Sequence, residues 1–139
     1  MISTVNEPLQ TTEPLIDVQA LSEQLRQFAA DRDWEQFHSP KNLVMALVGE
    51  VGELSEVFQW MTEEESKNAA RDPRTAQAVS HELADVLLYV VRAADVLGVD
   101  LNAAAVEKLR LNAEKYPVDT ARGSSRKYTE LKREPGRPR

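Results

Sequence analysis

Residues 39–62, SPKNLVMALVGEVGELSEVFQWMT, and residues 72–98, DPRTAQAVSHELADVLLYVVRAADVLG, decide the fold. In both, apolar residues return every three or four positions, the spacing of one helix face. Ser39-Pro40 and Asp72-Pro73 are helix starts, a capping side chain followed by proline at the first helical position. The pattern predicts helices over 40–62 and 73–97, the second stopped by Gly98. Upstream, Val18, Leu21, Leu25 and Phe28 predict a helix from Leu15 to Asp31–Asp33, with Asp17 as N-cap. The segment Trp34-Glu35-Gln36-Phe37-His38 is an aromatic connector, and 63–72 a charged loop with room for a helical turn. Asp100 caps a last helix over 101–115, which Pro117 ends. With no strand pattern, the expectation is an all-α four-helix bundle. Residues 1–14 read as a flexible lead-in, 15–117 as the folded domain, and 118–139 as a basic, mostly flexible tail.

Composition narrows the chemistry. A chain of 139 residues suits one domain, and an aromatic share of 6% with 5 glycines is thin for a β-protein. The absence of cysteine excludes disulfides, thiolate metal sites and a cysteine nucleophile, and 2 histidines make an imidazole-rich metal site a poor fit. Any metal would sit on oxygen: Mg²⁺, Mn²⁺ or Ca²⁺. Residues 1–121 hold 10 Lys/Arg against 21 Asp/Glu, whereas 122–139 hold 7 against 2. An acidic body with a basic tail argues against nucleic acid as a partner. No apolar run reaches the roughly 20 residues of a membrane span, and no signal peptide is legible at the start. A cytoplasmic protein that meets no membrane is expected.

The informative feature is a pair of acidic motifs. Glu50 and Glu53 lie on one central helix, Glu82 and Asp85 on the other. On a wheel of about 100° per residue, Leu43, Leu54, Val57 and Met61 fall within about 40° of Glu50. Val86, Tyr89 and Ala93 fall equally close to Glu82. Glu50 and Glu82 thus lie inside the apolar stripes, and Glu53 and Asp85 at matching edges, with Glu56 further out on a solvated face. Burying ionised carboxylates costs several kcal/mol unless they are paired or ligated. Cations that could pair with them are few, since Arg92 falls on the outer side of Asp85 and Lys41 lies far up its helix. A divalent cation would resolve the conflict.

The runs FHSPKNLVMALVGEVGELSEVFQW, HELADVLLYVVRAADVLGVDL and KLRLNAEKYP, with the later RGSSRKYTEL, resemble the all-α nucleoside triphosphate pyrophosphohydrolases. These are the MazG-like group, and the dCTP pyrophosphatase branch is most similar. The family's ExxE, spacer, ExxD pattern falls on Glu50, Glu53, Glu82 and Asp85 without departure. The resemblance implies that these four acids are catalytic and bind Mg²⁺, with Mn²⁺ as a substitute. It also implies a (deoxy)nucleoside triphosphate substrate hydrolysed to monophosphate and pyrophosphate, and self-association as dimer or tetramer. The leading substrate would be dCTP or a modified dCTP, with dUTP and dTTP open. Glu53, at an edge, is the first choice of general base.

Other positions follow from residue chemistry and the same likeness. Lys108 and Asn112 share one helix face, continued by Tyr116, and match the family's KxxxN motif for the phosphates. Arg126 and Lys127 of the tail are further phosphate candidates. Trp34, His38, Trp60 and Tyr89 would line a nucleoside pocket, the aromatic rings stacking on the base and His38 bonding a pyrimidine edge. A di-iron or di-manganese bundle needs Glu-x-x-His pairs, which His38 and His81 do not make. The competing reading is a non-catalytic helical oligomerisation or nucleotide-binding module.

Overall fold

The computed structural model describes residues 17–131, so the expected lead-in at 1–14 lies outside it, as does the end of the tail. Every regular element among the described residues is helical: α1 Gln19–Asp31, α2 Pro40–Phe58, α3 Glu63–Ser66, α4 Ala76–Leu97, α5 Leu101–Lys115, α6 Val118–Ala121 and α7 Tyr128–Leu131. They fall into two compact units divided between Leu101 and Asn102. Each is described by itself.

In the first unit α4 is the hub, packed against both α2 and α1. Val79, Val91, Ala93 and Ala94 of α4 are buried, as are Leu43 of α2 and Ala29 of α1. Leu43 and Val91 are the largest fully buried side chains among the described residues. The core is correspondingly thin.

The helix boundaries depart from the periodic reading where side chains compete for backbone groups. Val18, not Asp17, occupies the N-cap of α1, and no side chain caps it. At α2 the expected start holds: Ser39 Oγ accepts from Asn42 N at 3.2 Å with Pro40 following. That helix ends at Phe58 rather than Thr62, because Thr62 begins α3. Thr62 Oγ1 accepts from Glu65 N at 3.1 Å while Glu65 accepts from Thr62 N at 3.0 Å, a capping box that needs Thr62 outside any helix. Asp72-Pro73 does not open α4. The Asp72 carboxylate accepts instead from the backbone and guanidinium of Arg74, at 2.9 and 2.7 Å, and α4 begins at Ala76. Gly98 stops α4 as expected, at φ 68°, a left-handed conformation open to glycine.

The connector after α1 makes a tight reversal. Asp33 takes φ 54°, and Trp34 N donates to Ala29 O at 2.9 Å. Gln36 Nε2 holds the bend by donating to Asp33 O at 2.9 Å. A 3-10 turn, Glu35–Phe37, then leads into α2.

The second unit contains α5 and two helical turns, α6 and α7, in the stretch expected to be irregular. Tyr128 packs edge-on against Tyr116 with ring centroids 6.3 Å apart, and Lys115 Nζ stands 5.3 Å from the Tyr128 ring. These aromatic and cation–π contacts tie α7 to the end of α5.

Two substitutions test the helix punctuation. Ser39→Ala should lower stability by about 1 kcal/mol by removing the α2 cap. Gly98→Ala should cost about 1–2 kcal/mol through left-handed strain. Urea denaturation measures both, and an unchanged midpoint in either variant would contradict the assigned role.

Candidate functional site

Packing α2 on α4 brings the acidic motifs together. Glu50, Glu53 and Glu82 each place a carboxylate oxygen within 4.8 Å of the others, a spacing at which one metal ion could take all three. Glu50 Oε2 and Glu82 Oε2 are buried and have no hydrogen-bond partner. Such oxygens in a folded protein call for a missing cation or proton. Burial, with the charges of Glu53, Asp85 and Glu82, raises the pKa of Glu50 above the ordinary carboxylate value. Burial, then Glu53 and Asp85, raises that of Glu82. The donor set and its two orphaned oxygens fit a hard divalent cation. Glu53, at the edge of its stripe, is the exposed acid of the four, and Glu56 is exposed as expected.

Asp85 stands apart from that trio. Its charge reaches Glu50 and Glu82, but the residue lines a neighbouring cavity of about 230 Å³. The cavity is mostly apolar, walled by Leu25, Phe28, Trp34, Leu43, Leu88 and Tyr89, with His38 and Arg92 as further polar members. Trp34 meets Phe28 edge-on at 5.8 Å and His38 at 6.4 Å. Three of the four predicted base-contacting residues (Trp34, His38 and Tyr89) therefore come together. Trp60 does not join them: it is 89% exposed and outside the cavity wall.

Arg92 departs from the sequence reading. It is buried, with its side chain 10% exposed, and it lines the cavity instead of facing outward. Its Nε donates to His38 Nδ1 at 3.1 Å and its Nη1 to Asp95 at 3.2 Å. Asp95 also accepts from Arg26 Nε of α1 at 2.8 Å. Burial and the Arg92 charge lower the pKa of His38. A signal for Arg92 was present in the chain: Asp85, Tyr89 and Arg92 stand at i, i+4 and i+7, one face of a helix.

The remaining candidates lie in the second unit. Lys108 and Asn112 are exposed on α5, and Tyr116 follows at 39% exposure. Arg126 and Lys127 are exposed between α6 and α7, the Arg126 amide donating to Ser124 Oγ at 3.3 Å.

The sequence profile of the MazG-like family matches residues 46–131. The chain belongs to the MazG-like family. Among curated relatives, this MazG-like chain is 54% identical over 105 residues to human dCTP pyrophosphatase 1, covering 76% of this chain and 62% of that one. It is 51% identical over 107 residues to the rat dCTP pyrophosphatase 1, at 77% and 63% coverage. The chain thus spans less than two thirds of these relatives' length. A solved pyrophosphatase from Archaeoglobus fulgidus superposes with a TM-score of 0.68 at 33% identity, over 78% of this chain and 99% of that one. The all-α expectation agrees with this fold. No helix among the described residues is long and apolar enough to cross a membrane.

The raised acids give a stability prediction. Glu82 binds a proton more readily folded than unfolded, so its charge destabilises the metal-free protein above the folded pKa. That cost disappears as pH falls through the folded pKa toward the ordinary 4.5. In EDTA, Glu82→Gln should melt higher than the wild type near neutral pH, with the gap closing as pH approaches that value. Added Mg²⁺ should raise the melting temperature of the wild type and not of the variant. The reverse order in EDTA would show that the Glu82 charge is compensated.

Proposed function

We propose that the protein is a divalent-metal-dependent nucleoside triphosphate pyrophosphohydrolase that cleaves dCTP or a modified dCTP to the monophosphate and pyrophosphate. The observation that carries this reading is the convergence of Glu50, Glu53 and Glu82 within 4.8 Å, two of them with buried, unpartnered oxygens. Asp85 links that cluster to a cavity with aromatic walls, so a phosphate-handling end and a base-sized end adjoin one residue. The names of the relatives, dCTP pyrophosphatase 1 in human and rat, support the substrate.

Glu50, Glu53 and Glu82 would hold Mg²⁺ or Mn²⁺, with Asp85 as the fourth acid of the motif. Bound there, the ion supplies charge neutralisation for the triphosphate and its departing pyrophosphate. Hydrolysis forms a bond from water oxygen to the α-phosphorus as the bond to the α–β bridging oxygen breaks. The water's proton needs an acceptor, and Glu53, the exposed acid, is the candidate. Trp34 and Tyr89 offer flat faces to the base, and His38 a polar edge. Lys108 and Asn112, on one face of α5, are the proposed phosphate ligands, with Tyr116, Arg126 and Lys127 as supporting candidates. Trp60, at 89% exposure, is proposed to contact the nucleoside only if a second copy approaches it.

Self-association belongs to this reading. Val44, Met45, Val48 and Val51 of α2, with Leu83 and Leu87 of α4, are between 45% and 63% exposed. A second copy would bury that apolar area and stabilise a chain whose own core is thin. The proposed setting is the cytoplasm, where nucleoside triphosphates are available.

Pyrophosphate release from a panel of deoxynucleoside triphosphates tests the function. Release from dCTP should require Mg²⁺ or Mn²⁺ and stop in EDTA. Glu50→Gln should reduce it by about a hundredfold or more while leaving the helical circular dichroism unchanged. Full activity in EDTA would refute the mechanism. Light scattering should give a mass that is a multiple of the 15.6 kDa chain, and a monomer with full activity would refute the assembly.

A further inference from the structure

The proposed chemistry leaves Arg92 without a task, although it is a buried charge at the wall of the base cavity. A guanidinium has donors and no acceptor. Its Nε–H, 3.1 Å from His38 Nδ1, can form that bond only if Nδ1 carries no proton. The ring proton must then sit on Nε2, and His38 lines the cavity as a neutral donor at that atom. Nothing among the described residues hydrogen-bonds Nε2. Arg92 is held in turn by Asp95, and Asp95 by Arg26, so a chain of charge-assisted bonds runs from solvent to the imidazole.

We propose that Arg92 is a positioning residue that holds His38 as its Nε2–H tautomer, so that the cavity selects a pyrimidine whose N3 accepts a hydrogen bond. Cytosine meets that requirement, whereas uracil and thymine carry N3–H and would set donor against donor. This inference rests on the nucleotide-hydrolase reading for its ligand, but the state of His38 stands on geometry alone. A group built to bond one partner rejects an analogue that leaves it unpaired more strongly than an apolar wall could.

The test uses the full chain. Nitrogen-15 spectra of its 2 histidines identify the protonated nitrogen of each ring, with His81→Gln for assignment. In the wild type His38 should show an unprotonated Nδ1 and a protonated Nε2. Arg92→Met, which removes the donor but keeps an unbranched side chain, should populate the Nδ1–H form. The ratio of kcat/KM for dCTP over dUTP should fall about tenfold, through KM with kcat little changed. Arg92→Lys, which keeps a donor and the charge facing Asp95, should restore both the tautomer and the ratio. A purely structural role would weaken both nucleotides alike and leave their ratio constant.

A protonated Nδ1 in the wild type would overturn the proposal, as would an unchanged dCTP-to-dUTP ratio in folded Arg92→Met. If the wild type hydrolyses neither nucleotide, the hydrolase reading fails and this proposal is decided by binding. Titration calorimetry should then give tighter binding of dCMP than of dUMP in the wild type and near-equal binding in Arg92→Met. Equal binding in the wild type would overturn it.

Discussion

The contact between α2 and α4 sets the terms for everything else, because it seals apolar faces that each contain a glutamate. Leu43, two turns before Glu50 on α2, is almost wholly out of water, and Glu50 and Glu82 each have a carboxylate oxygen buried with it. Two buried carboxylate oxygens without partners oppose the packing that creates them. The opposition shows in both acids, whose proton affinities rise together because each is desolvated beside other negative charges. On the proposed function a divalent cation would relieve that opposition, so that stability and chemistry would meet in the same side chains.

α4 carries this conflict and its neighbour on successive turns. Glu82 belongs to the acidic trio, Asp85 faces the cavity, Tyr89 supplies a cavity wall, and Arg92 closes it. The opposite wall depends on the left-handed turn at Asp33, which swings Trp34 back against Phe28. The Arg26–Asp95 ion pair joins α1 to α4 beside that wall. Exposed pairs of this kind contribute little to stability, but this one anchors Asp95, which holds a buried guanidinium. Its value is in orientation.

Much of this was legible in the residue pattern. Periodicity located the long helices, and Ser39-Pro40 and Gly98 marked ends that the structure keeps. The matched phase of Glu50 and Glu82 within their stripes foretold their burial, since it follows from residue spacing alone. The misses have local causes. Thr62 and Asp72 carry capping side chains that bond in more than one way, and their partners, Glu65 and Arg74, decided the outcome. Arg92 lies beyond Asp85 on the wheel, which reads as outward from the acidic stripe, but its spacing from Asp85 and Tyr89 puts it on the face they share.

The sequence by itself determined that the chain is helical, where its long helices lie, and which acids face inward. Each of these depends on residues a few positions apart, and the geometry of one helix relates such residues directly. Only the tertiary structure decided that Glu50, Glu53 and Glu82 form a trio with Asp85 beside it, that Trp60 stands outside the cavity, and that Arg92 bonds His38. The partners in the last chain are 54 and 69 residues apart, His38 to Arg92 and Arg26 to Asp95. No local period encodes such a pairing. It arises when three helices close on one core and a buried guanidinium has to find acceptors within reach.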